Sequence, residues 1–199
     1  MPQAPPFLVR LRDHWCWLAS ALLLATASAQ SGSTQPTPEG DAETRAAMLR
    51  AMFVVKIPEY LTLAKSSDKK EYCIAVVGAD HVATVAQKHL PGKKVVDALV
   101  KVIAIDAQAA AKGAQAATYD LVYIAASVDA DTVKKIIESH ATKPVPLVCE
   151  RSGFATLGGG VQLFVKDNGV RFEVNAEALK KQGIQANAQL MKLSRKGPN

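Results

Sequence analysis

The chain has 199 residues and a formal net charge of +6, with 49% hydrophobic and 21% charged residues, enough for one globular domain with a full core. The positive balance does not describe a nucleic-acid surface. Lys69-Lys70, Lys93-Lys94, Lys134-Lys135 and Lys180-Lys181 are separate pairs, not a basic stripe interleaved with aromatics.

Residues 1–29 read as a signal peptide. Arg10 and Arg12 supply a positive start, and Trp15 to Ala25 is an apolar run too short for a comfortable membrane span. Ala27-Ser28-Ala29 is a small-residue cleavage site before Gln30. A buried N-terminal helix or a retained anchor is the alternative. Cleavage implies export to an oxidising compartment. Cys73 and Cys149 would then remain, each in or at the end of an apolar run. One disulfide between them is possible. Two buried free thiols are favoured, because only closely neighbouring strands bring Cα atoms within bridging range. Neither has a CxxC partner or a nearby His, which argues against zinc and thiol catalysis.

Residues 30–40 form a polar, Pro-bearing leader, and residues 41–196 a single domain. Asp41 is placed to cap a helix over Ala42 to Lys56, with Ala47, Met48, Ala51, Met52 and Val55 at helical spacing. Pro58 ends or kinks it. Tyr60, Leu61 and Leu63 add an apolar patch, and 66–70 a charged turn. Strand Tyr72 to Val77 leads through Gly78 to a helix from His81 to Leu90, capped by Asp80. Strand Leu99 to Ile105, an Ala-rich helix from Ala107 to Ala117, and strand Asp120 to Ala125 follow. Asp129 caps a helix to His140, and Val145 to Cys149 is the next strand. Strands alternating with helices of this length make βαβ crossovers and a mainly parallel sheet with helices on both faces, an α/β fold.

The segment Gly153 to Asn175 is the most legible. Gly158-Gly159-Gly160 ends a loop; Val161, Leu163 and Val165 alternate with Gln162, Phe164 and Lys166. Asp167-Asn168-Gly169 is a strong two-residue hairpin signal, with Asn and Gly tolerating positive φ. On the return strand Val170, Phe172 and Val174 face the core while Arg171 and Glu173 point away. The hairpin adds an antiparallel edge. Asn175 caps a helix over Ala176 to Gln182, Gly183 stops it, and a last helix spans Asn187 to Arg195.

Catalytic chemistry is thin. The turn at Gly78 lacks a G-x-G-x-x-G fingerprint, and Asp80 at the cap would repel a phosphate. Ser152-Gly153 is no nucleophile elbow, and His81, His89 and His140 share no motif. No catalytic residue, metal site or cofactor is expected.

The run of Val76-Val77-Gly78, Tyr123-Ile124, Gly153-Phe154-Ala155, Gly158-Gly159, Arg171-Phe172-Glu173-Val174-Asn175 and Gln189-Leu190-Met191-Lys192-Leu193 resembles the YfiR family of periplasmic proteins. The resemblance covers about Glu43 to Leu193; its specific part is G-F-A-x-x-G-G through R-F-E-V-N. It implies a non-enzymatic periplasmic α/β domain, often dimeric. It also implies a partner: the periplasmic sensor region of a membrane diguanylate cyclase, whose cyclic di-GMP output such domains repress. Of the cysteine pairs in the regulatory branch, Cys73 matches one position, while Thr118-Tyr119 carries no partner for it.

Two binding functions follow. The first is a regulatory module for a membrane-bound signalling receptor, diguanylate cyclase-like or a sensor kinase, itself monomeric or a homodimer. The second is a small-ligand binder with a pocket at the carboxyl ends of the parallel strands, beside Gly78, Ala126 and Glu150. For the first, the partner-binding candidates are Phe154, Leu157, Gly158 and Gly159 with Arg171 and Glu173. Phe154 would be an apolar anchor, and the charges would set register. The alternative role for Phe154 is a plug at the end of the sheet core.

Overall fold

The structure, a computed structural model, describes residues 38–63, 69–167, 169–195 and 197, which lie in one compact unit. The signal-peptide and leader readings over 1–37, and most of the turn at 66–70, fall outside these residues.

Helix α1, Pro38–Lys56, buries Ala47, Ala51, Val54 and Val55. It begins before Asp41, so that residue lies inside the helix and does not cap it. Pro58 cannot continue the α-helical ladder, and Ile57–Tyr60 tightens into a single 3-10 turn. The chain then leaves extended as β1, Leu61–Leu63. This strand pairs antiparallel with β9, Ile184–Ala186, in a separate two-stranded ribbon that short apolar triplets did not announce.

The main sheet has seven strands in the order β3-β4-β2-β5-β6-β7-β8. They are β2 Glu71–Val77, β3 Lys94–Val95, β4 Ala98–Ile105, β5 Leu121–Ile124, β6 Leu147–Cys149, β7 Val161–Lys166 and β8 Gly169–Val174. Strands β4, β2, β5, β6 and β7 are parallel; β3 and β8 are antiparallel edges. Ile74 to Val77 and Leu121 to Ile124 are essentially solvent-free, as central parallel strands covered on both faces must be. The covering helices are α2 His81–His89, α3 Ala107–Ala111 and α4 Ala130–His140; α1 packs on α2, and α3 on α4. The crossover through α2 runs to one side of β2, and the crossover through α4 runs to the other side of β5. Right-handed connections therefore put the two helix pairs on opposite faces. The α/β class with helices on both faces is the architecture found.

Three expectations are corrected. The Ala-rich helix ends at Ala111, not Ala117, because Gly113 takes a φ of 65° and Gln115 one of 59°, turning the chain before β5. The hairpin turn sits one residue earlier than the Asn-Gly signal placed it. Lys166 pairs with Gly169, so Gly169 is a strand residue and Asp167 takes positive φ, at 51°; Asn168 falls outside the described residues. The period-2 pattern holds only on the return strand. Phe172 and Val174 are buried, Val170 is half-buried and Arg171 is exposed, whereas on β7 Gln162 and Phe164 are buried too and Val165 is exposed. The base of β7 borders β6 in the covered parallel part; its tip projects from it.

Cys73 on β2 and Cys149 on β6 are free thiols. Strand β5 lies between them and Cys149 is level with Val77, so they are beyond bridging range. Burial pushes the Cys149 thiol up to about 11.

Candidate functional site

Open parallel sheets bind ligands where two neighbouring strands send their connections in opposite directions, outside the carboxyl ends. Here that point lies between β2 and β5. Gly78 leaves β2 with a φ of 79°, and a Cβ there would stand 2.6 Å from Val128 Cγ2. This close approach brings Asp80 over the crevice. Asp80 Oδ1 accepts from Ala83 N–H at 2.6 Å and caps α2. Its Oδ2 accepts from Ala126 N–H at 2.9 Å and from Tyr123 Oη at 3.1 Å. Ser127 Oγ donates to Ala79 O at 2.6 Å and ties the two loops together.

Glu150, just past β6, extends the cluster. Tyr123 Oη lies 3.4 Å from Glu150 Oε1, and Arg50 of α1 places Nη1 3.5 Å from Oε2. Burial, reinforced by nearby Asp80, raises the Glu150 pKa; Arg50 and the Tyr123 hydroxyl pull it back. Burial also raises Tyr123, which stays a neutral donor. The backbone N–H of Ala126 that would greet a ligand is already bonded to Asp80, and Arg50 reaches across from α1. Asp80, the Ala126 N–H and the Tyr123 hydroxyl are thus engaged with one another, while Arg50 Nε is buried without a hydrogen-bond partner among the described residues.

The glycine loop between β6 and β7 is equally committed. Phe154 is fully buried, so its anchor role is corrected: in this fold it is the plug of the sheet end. Gly159 is buried beneath it, and a Cβ there would lie 2.2 Å from the Phe154 ring. Backbone bonds from Leu157 to Gly153, Gly158 to Ala155 and Gly159 to Phe154 close the loop on itself. Asn175 stitches it to helix α5, Ala176–Lys181. Its Nδ2 donates to Ala155 O at 2.7 Å while its Oδ1 caps the helix at Ala178 N–H.

A groove of about 620 Å³ opens at the other end of the hairpin. Phe53 of α1, Val170, Phe172 and Leu193 form its apolar part; Leu193 ends helix α6, Ala188–Leu193. Lys166, Arg171, Arg195 and Asp167 stand around it. The Phe53 and Phe172 rings pack with centroids 6.3 Å apart.

A family model described as YfiR/HmsC-like matches residues 47–195. The chain belongs to the YfiR/HmsC-like family. No curated protein matches it. The family is periplasmic, regulatory and in general non-catalytic. Among the described residues no helix is long and apolar enough to cross a membrane, and no group of His, Cys, Asp and Glu is arranged to hold a metal.

In this YfiR/HmsC-like domain the residues singled out from sequence fall into separate environments. Phe154 and Gly159 are interior. Leu157 is half exposed, and Gly158 turns at a φ of 100° beside Ile137 of α4. Arg171 lines the groove, and Glu173 accepts from Gly197 N–H at 2.7 Å. The groove's own residues Phe53, Leu193 and Arg195 went unnoticed. Nothing in the sequence says that α1, the hairpin tip and α6 meet.

Proposed function

We propose that this protein is an exported regulatory domain that binds the periplasmic sensor region of a membrane-bound signalling receptor, diguanylate cyclase-like or a sensor kinase, and restrains its output. The match to the YfiR/HmsC-like family across almost the whole described domain carries this reading. The Trp15 to Ala25 run before Ala27-Ser28-Ala29 supports export. At the strand ends both Asp80 oxygens, the Ala126 N–H and the Tyr123 hydroxyl are already engaged, which favours this reading over the small-ligand alternative. The test has two parts. N-terminal sequencing of the exported chain should begin at Gln30, and a chain still starting at Met1 or Pro2 refutes export. Affinity capture from solubilised membranes should recover a membrane receptor, and deletion of this protein should raise cellular cyclic di-GMP or the receptor's kinase output. Recovery of no receptor and an unchanged output would refute regulation.

A further inference from the structure

The groove at the hairpin tip has three features that select one kind of occupant. Its interior is apolar: the Phe53 and Phe172 rings pack together, and Leu193 remains half exposed beside them. Its surround is cationic. Lys166, Arg171 and Arg195 face a single lining carboxylate, Asp167, and none of the three cations is in an ion pair among the described residues. Two of them are positioned. Arg171 Nη1 donates to Val170 O at 3.2 Å, and Arg195 Nη1 donates to the carbonyls of Lys192 and Ser194.

The third feature is backbone. Strand β8 is the outer strand of the sheet. Arg195 N–H donates to Phe172 O at 2.8 Å, and Val174 N–H donates to Ser194 Oγ at 3.0 Å, so the chain after α6 covers that half of the edge. Outward-facing groups alternate along an antiparallel edge, so Val170, two residues before Phe172, turns its backbone outward as well, where its carbonyl accepts from the Arg171 guanidinium. That position borders the groove.

We propose that this groove receives an acidic, extended segment of a partner polypeptide, added along the edge of β8 at Val170. An apolar side chain of the segment enters between Phe53 and Leu193, and its carboxylates meet Arg171, Arg195 and Lys166. Edge pairing supplies backbone hydrogen bonds, the pocket reads alternate side chains, and the cations set sign and register. A concave site beside a strand edge fits a peptide better than a flat lipid surface, and Arg171 on meeting a carboxylate would release the Val170 carbonyl to the segment. The proposal rests on the regulatory reading, and it assigns the partner's chemistry.

The probe is a fluorescein-labelled octapeptide alternating glutamate with leucine and phenylalanine, titrated into the purified protein by anisotropy. Saturable binding is expected. Arg171→Glu with Arg195→Glu should weaken it about tenfold or more and remove its salt dependence, with an unchanged melting temperature because both residues are exposed. Leu193→Ser, which leaves every cation in place, should also weaken it. Three results would each overturn the proposal. The charge-reversed protein could bind within about twofold of the original. A peptide with serine at the apolar positions could bind as tightly, which would reduce the site to polyanion attraction. Phosphatidylglycerol vesicles could bind while the peptide does not. Failure here is separable from failure of the regulatory reading. A receptor captured with equal affinity by the charge-reversed protein refutes the groove alone, whereas peptide binding without any receptor refutes regulation alone.

Discussion

Phe154 and Gly159 form a pair whose coupling tests how the glycine loop is held. Truncating Phe154 to Ala removes a ring with no solvent exposure. The transfer loss is about 1.5–3 kcal/mol, and a ring-sized hole of roughly 80 Å³ at about 24 cal/mol per Å³ adds about 2 kcal/mol, so the loss should be about 3–5 kcal/mol. For a domain of this size that lowers the melting temperature by about 6–20 °C. Gly159→Ala acts from the other side. Its new methyl would meet the ring carbons of Phe154 at 2.2 to 2.4 Å, and the ring is enclosed. Overpacking of that kind costs about 1–3 kcal/mol. In the Phe154→Ala background the same methyl enters the vacated space, so the second substitution should cost little or nothing. Urea unfolding of the wild type, both single variants and the double variant gives the cycle. The coupling energy should be on the order of 1–3 kcal/mol, favouring the double variant over the sum. Losses that add within about 0.5 kcal/mol would refute the packing account.

Gly78→Ala should lose about 2–4 kcal/mol, combining left-handed backbone strain with the collision at Val128, and a loss under about 1 kcal/mol in urea unfolding would refute the close approach. Arg50→Ala should cost on the order of 1–3 kcal/mol by leaving the half-buried Glu150 carboxylate without its cation. Adding Glu150→Gln should recover most of that loss in thermal unfolding, and no recovery would count against the pair. His140 is solvent-free. Its Nε2 lies 3.1 Å from Tyr119 Oη, its Nδ1 lies 2.9 Å from Ile136 O, and burial lowers its pKa from the ordinary 6.5. The folded state therefore favours the neutral ring. Its contribution is present above 6.5 and is lost as pH falls from there toward the lowered folded value. His140→Gln should flatten the fall in urea midpoint between about pH 7 and pH 5.5, and an equally steep fall would refute the assignment.

The sequence by itself determined most of the local order. Asp80, Asp129 and Asn175 cap helices as their positions implied, because a side-chain oxygen one residue ahead of a first turn needs no tertiary help. Apolar runs such as Tyr72 to Val77 announced buried parallel strands, since strands covered on both faces cannot alternate. Gly183, with a φ of 73°, stops its helix as expected.

Tertiary structure decided the rest. The Ala-rich run has helical propensity to Ala117, but the chain must turn at Gly113 to reach β5. Propensities of tenths of a kcal/mol per residue yield to that demand. The pairing of Leu61–Leu63 with Ile184–Ala186 joins segments with no pattern in common. Phe154 reads equally as an anchor or a plug until the loop is seen folded over it, because period and composition carry no information about which side of a glycine loop faces inward. The candidate groove is the furthest from the sequence. Phe53, Phe172 and Leu193 belong to three elements and Arg195 lies just past the last, and only the packing of α1 and α6 against the hairpin brings them together.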